Sequence, residues 1–220
     1  MIPLRDTQRS NSTPVVTVLL IVANCLVFLM ELSLGPHARN QFVLVYGLVP
    51  DRMVLRSLVT CIFLHGGWMH LIGNMWFLWV FGNNIEDALG HFQYLVFYLL
   101  CGVAAGLAHV VANLNSPVPT IGASGAIAGV MGAYLVKFPR ARITTLVPVL
   151  IFFTTFDLPA AFLLAYWFLI QLFSGVGSVA SSHITEHGVA WFAHVGGFLA
   201  GILLILILPT RRPAPRELPW

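Results

Sequence analysis

Apolar residues in this chain come in long runs, not in the short alternation of a half-buried strand. Six runs stand out: Val15–Leu32, Val59–Phe81, Phe92–Val111, Ile121–Phe138, Leu158–Gly175 and Ala190–Leu208. Each is close to the ~20 residues that a helix needs to cross a bilayer core. A further apolar stretch, Ile143–Phe153, is too short to cross and contains Pro148, so it is expected to be interfacial or re-entrant. The first run follows a polar stretch, Arg5–Thr13, and no small-x-small cleavage site follows Glu31. It therefore reads as a retained span and not as a cleaved signal.

Composition turns these runs into a class. Hydrophobic residues make up 58% of the 220 positions and charged residues 9%, where a soluble domain carries about 25% charged. So few charges cannot cover a water-facing surface, and lipid is the expected solvent. The expected fold is an all-α polytopic membrane protein with six transmembrane helices in one domain, 15–209, between tails 1–14 and 210–220. Cys25, Cys61 and Cys101 lie in or beside apolar runs and read as buried thiols, without metal or disulfide spacing.

The basic residues orient the chain. Six spans with the N-terminus inside place Arg5, Arg9, Lys137, Arg140, Arg142, Arg211, Arg212 and Arg216 inside, and Arg39, Arg52 and Arg56 outside. That bias obeys the positive-inside rule. A seventh span at Ile143–Phe153 would move three C-terminal arginines outside. Both termini are therefore expected to be cytoplasmic. The polar segment Gly175–Val189 is then an outer loop, either a connector or a lid over a site.

Polar groups inside spans are costly, and each is a functional candidate. Span two carries His65, His70 and Asn74, span three His109, span four Ser124 and span six His194. No acidic residue falls in mid-span; Glu86 and Asp87 sit in an expected inner turn, Gly82–Gly90, and read as a solvated turn or a helix cap. Spans two, four and six share a direction, and His70, Ser124 and His194 each fall early in their span. The three therefore share a depth below the outer surface. A serine within reach of a histidine is an activated nucleophile. Asn74 is about 40° around the helix from His70, so both can donate to one oxyanion. His65 is off that face and is expected to brace the outer loop; His109 is read as structural.

Small residues fit a close helix pair. Ser124, Ala128 and Gly132 recur along span four, and His194, Gly197 and Gly201 along span six. The chain holds no His-Glu-x-x-His and no intramembrane aspartate pair, so zincin and aspartyl chemistry lack their motifs. A mid-span acid for a Ser-His-Asp triad is also missing, which leaves a dyad.

These residues resemble one family. His65-x-x-x-x-His70-x-x-x-Asn74 resembles the second-helix motif of the rhomboids, Gly122-x-Ser124-Gly125 their nucleophile motif, and Ala193-His194-x-x-Gly197-x-x-x-Gly201 their sixth-helix base motif. Glu86-x-x-x-Gly90 resembles a further rhomboid feature. The resemblance implies a rhomboid-like bundle with a water-accessible cavity open to the outside. It implies Ser124 as nucleophile, His194 as general base, and His70, Asn74 and the Ser124 N–H around the oxyanion. His65, Gly122, Gly125, Gly197 and Gly201 would support the site. Neither metal nor cofactor is implied, and no nucleic acid. The expected substrates are single-pass transmembrane proteins cut near the outer end of an unstable helix. The compact chain resembles the minimal prokaryotic form, which suggests a prokaryotic inner membrane.

Two departures from the family pattern follow. Ala128 stands where many members have a tyrosine against the catalytic histidine, so Trp191 or Phe192 is expected to support His194. The Trp-Arg pair common in the first outer loop is not found. The alternatives are a client-binding relative without activity, which would be expected to lose Ser124 or His194, and a small transporter, which would be expected to show repeated halves.

Overall fold

The computed structural model describes residues 2–8, 10–149, 152–180 and 190–211. Among them are eight α-helices: α1 Val15–Ser33, α2 Pro36–Tyr46, α3 Ser57–Thr60, α4 Trp68–Leu89, α5 His91–Ala112, α6 Ser124–Lys137, α7 Ala160–Ala180 and α8 Trp191–Ile207. Helices α1, α4, α5, α6, α7 and α8 correspond to the six apolar runs. α1 and α5 are long and apolar enough to cross a membrane by length and composition; α6 and α8 are apolar but shorter. Many large apolar side chains face outward, among them Leu19 and Leu26 on α1, Phe173 on α7 and Leu203 and Leu206 on α8. A water-soluble surface does not carry apolar patches of that extent.

The all-α expectation is corrected by a three-stranded antiparallel sheet of β1 Ile2–Asp6, β2 Arg142–Val149 and β3 Phe152–Pro159, in the order β1-β2-β3. Asp6 pairs with Ile143, and Arg142 with Pro159. The stretch expected to be re-entrant is thus a hairpin. Its residues are largely β-branched or aromatic, and Leu146 pairs with Thr155 and Val147 with Thr154. Pro148 is tolerated because β1 pairs β2 only as far as Leu146. Residues 2–6, expected in a tail, form the edge strand.

Four boundaries also move. Val59–Gly67, placed in span two, holds the end of α3 and a short 3₁₀ turn, Cys61–Phe63, and the long helix begins at Trp68. The expected inner turn Gly82–Gly90 is instead helical up to Leu89. The segment between the first two apolar runs contains α2. α7 runs on to Ala180, so only 181–189 of the expected cap loop remain, and these lie outside the described residues, as do 212–220 of the tail.

At Glu86 the solvated-turn expectation fails and the helix-cap expectation holds. The side chain is fully buried. Its carboxylate accepts the backbone N–H groups of Val16 and Thr17, each at 2.8 Å, and the Thr17 hydroxyl at 2.7 Å. It therefore caps the first turn of α1 from α4, where free N–H groups and the helix dipole favour an anion. His91 Nδ1, at the start of α5, lies 2.6 Å from the same carboxylate. One acid joins three helices.

Candidate active site

The site forms where three helices begin. His70 is the third residue of α4, Ser124 the first of α6 and His194 the fourth of α8. Ser124 stands at a helix start because the chain reaches it in extended form. The Thr120 backbone pairs with Leu48, and the Gly122 N–H donates to the Cys61 carbonyl at 2.9 Å. Gly122 has φ +125, which a side chain would strain. A Cβ there would also stand 2.7 Å from Cε1 and Nε2 of His70. The tight turn and the close approach together require glycine.

α6 and α8 meet backbone to backbone. A Cβ on Gly197 would overlap the Gly125 carbonyl, one on Gly201 the Gly129 carbonyl, and one on Gly132 the Phe198 carbonyl. The small-residue expectation was right for α8. On α6 the contacting face is Gly125, Gly129 and Gly132, rather than Ser124, Ala128 and Gly132. This approach sets Ser124 Oγ 2.7 Å from Nε2 of His194. On the other side of the ring, Nδ1 lies 2.6 Å from Oε1 of Gln171, on α7. An amide oxygen only accepts, so Nδ1 carries the ring proton and Nε2 accepts from the serine hydroxyl.

His70 and Asn74 line the wall beside Gly122. The Gly66 N–H donates to His70 Nδ1 at 3.4 Å, which leaves Nε2–H as the ring's free donor, on the side of Gly122. Asn74 Nδ2 is buried without a hydrogen-bond partner among the described residues and would lie 3.7 Å from a Cβ on Gly122. An orphaned buried donor calls for a reason; here it is aimed at the segment that carries Ser124. The first N–H groups of α6 have no carbonyl partner within the helix, and Ser124 is first among them.

His65 lies before α4, not on it, so its position is not set by helical rotation. It is fully buried, and its ring meets that of His70 at 5.1 Å and 63°. Its backbone is held from α1 and α2: the N–H donates to Glu31 at 3.2 Å, and Arg39 donates to the carbonyl at 3.4 Å. His109 is not without a partner. Its Nε2 lies 2.7 Å from the Thr120 hydroxyl, which ties α5 to the segment leading into Ser124.

Two α7 residues were missed by sequence reasoning: Gln171, and Trp167 one turn before it, whose ring lies 5.7 Å from that of His194. The signal was present, since Gln171 is a lone amide in an apolar run. The rings beside His194 are Trp167 and Trp191, the latter edge-on at 6.4 Å. An apolar cleft of about 200 Å³ opens between α4 and α7, lined by Phe77, Phe81, Met131, Leu164 and Trp167, with Pro3 of β1 beside them. The Trp76 indole donates to the Pro3 carbonyl at 2.5 Å and ties β1 to α4.

A rhomboid-domain profile matches residues 52–211. The chain is 30% identical over 154 residues to RHOMBOID-like protein 5 of Arabidopsis thaliana, covering 70% of this chain and 44% of that protein. It is 30% identical over 202 residues to the mitochondrial presenilin-associated rhomboid-like protein of Homo sapiens, covering 88% and 50%. It is 34% identical over 130 residues to rhomboid protease GluP of Bacillus subtilis, covering 57% and 25%. The chain thus spans about half the length, or less, of these relatives.

Proposed function

The chain belongs to the rhomboid family, an integral membrane helical bundle, and on that premise we propose that it is an intramembrane serine endopeptidase working through a Ser124–His194 dyad. The observation that carries the proposal is the 2.7 Å contact between Ser124 Oγ and His194 Nε2, with the Gln171 oxygen 2.6 Å from the far ring nitrogen. Ser124 attacks the scissile carbonyl while His194 Nε2 takes its proton. The negative charge on the carbonyl oxygen is met by His70 Nε2–H, Asn74 Nδ2–H and the Ser124 backbone N–H. His194 then gives its proton to the leaving amine, and water, deprotonated by His194, hydrolyses the acyl-enzyme.

The proposed topology has six spans, α1, α4, α5, α6, α7 and α8, both termini on the cytoplasmic side, and a cavity opening to the outside. α6 supports the cavity. It has 14 residues, roughly 21 Å against a hydrocarbon core of about 30 Å. If its inner end is level with those of its neighbours, Ser124 lies roughly 9 Å below the outer boundary. The proposed substrates are single-pass transmembrane proteins whose helix unwinds near that depth. The proposed setting is a prokaryotic inner membrane, although one relative's name places it in mitochondria.

The test is a cleavage assay in lipid vesicles with a single-pass substrate weakened near its outer end. Wild type is expected to cut, and Ser124→Ala and His194→Ala to lose at least about 10⁴-fold in rate. Cleavage by all three would overturn the assignment. A wild type that binds the substrate and leaves it intact would favour a client-binding relative without activity.

A further inference from the structure

Gln171 is 7% exposed, in a run with little else for an amide to bond. A buried amide costs free energy unless it is hydrogen-bonded, and the oxygen of this one is directed at His194 Nδ1, 2.6 Å away. The position of the bond matters. A neutral imidazole has two tautomers, and only the one protonated at Nδ1 presents a bare Nε2 to the Ser124 hydroxyl. An amide oxygen at Nδ1 selects that tautomer and fixes the plane of the ring.

The same bond gains strength during the reaction. Once Nε2 has taken the serine proton the ring is a cation, and Nδ1–H donates to Oε1 as a charge-assisted bond. The amide therefore favours the transition state over the ground state. A carboxylate in this place would attract the cation more strongly, but it would be an ionised group buried among apolar helices. The neutral amide avoids that cost. Trp167, on the same face of α7, and Trp191 flank the ring, so Gln171 acts on an imidazole already confined.

We propose that Gln171 is a positioning residue for the proposed reaction: from α7 it holds His194 in the reactive tautomer, in the place where a Ser-His-Asp triad has its acid. The proposal rests on the dyad reading above.

The experiment compares Gln171→Met and Gln171→Glu with wild type, each as the full chain in lipid vesicles. It measures the rate at which a fluorophosphonate labels Ser124, together with thermal unfolding. Methionine keeps the length and removes the acceptor; glutamate, charged or protonated, keeps an acceptor oxygen. The Met variant is expected to label about 10- to 100-fold more slowly, a smaller loss than the ~10⁴-fold of a triad acid. The Glu variant is expected to stay within about threefold of wild type. Stability should rank the other way, with Met melting at or above wild type and Glu below it, because a thioether is the less costly group to bury. A purely structural role would make reactivity follow melting. Equal labelling of the Met variant and wild type would overturn the proposal and leave the dyad standing, whereas an unlabelled wild type would overturn both. Independently of any variant's folding, the ring ¹⁵N spectrum of wild-type His194 should show the proton on Nδ1; a proton on Nε2 would overturn the proposal.

Discussion

Two sides of His194 are built differently. Toward α6, the backbones of α6 and α8 touch: Gly197 and Gly201 lie against the carbonyls of Gly125 and Gly129, with no room for a methyl group. Toward α4 and α7, the contacts run through large side chains that leave a cleft of about 200 Å³ beside Trp167. The first side fixes the distance between the reacting atoms, because a backbone seam has no rotamers to relax. The second side carries the groups proposed to orient and receive: Gln171 at the ring, His70 and Asn74 at the proposed oxyanion wall, and apolar surface along the cleft. On the proposed function, precision is placed in the backbone where two atoms must meet, and adaptability in side chains where a substrate would be accommodated.

The contrast can be broken by substitutions on each side. The largest expected effect is Gly201→Val. Its Cβ would overlap the Gly129 carbonyl, so the seam must open, at a cost of about 3 kcal/mol or more. Thermal unfolding in detergent should show the loss, and cleavage should fall with it. A variant that keeps both would mean that the seam is not rigid. Next is Asn74→Ala. Its Nδ2 has no partner to lose among the described residues, so stability should hold, while cleavage should drop by about 10²- to 10³-fold, as for an oxyanion donor. A matching loss of stability would reassign Asn74 to the fold. The smallest effect is expected at Ile170, which lines the cleft and is 39% exposed. Ile170→Ala should cost about 1 kcal/mol or less, below the 2–5 kcal/mol of a fully packed site. A larger cost would show the cleft to be as tightly built as the seam.

The same division decides how much was legible in the sequence. The six long helices could be read because lipid demands continuous apolar runs, and α1 starts at Val15 as its run does. Ser124, His70, Asn74 and His194 could be singled out because a polar group is conspicuous in such a run. The sheet could not be read: apolar content over Ile143–Phe153 does not separate strand from helix, and the partner strand β1 lies more than a hundred residues away in sequence. For Glu86 the cap could be read as one of two options but not which helix it caps, because that helix start is 69 and 70 residues distant. The glycine face of α6 was misjudged by one position because spacing gives a period but not which side meets the neighbour. Gln171 belongs to no motif in the sequence, and its contact with His194 shows only when α7 is placed beside α8.

The central claim is that the α6–α8 seam arms Ser124 through His194. The most direct test is to treat the protein in bilayers with a fluorophosphonate and map the adduct by mass spectrometry, for wild type and for His194→Ala. A single adduct on Ser124 in wild type, absent from the His194 variant, is the predicted result. An adduct on another residue, or one on Ser124 that forms equally well without His194, would contradict the account.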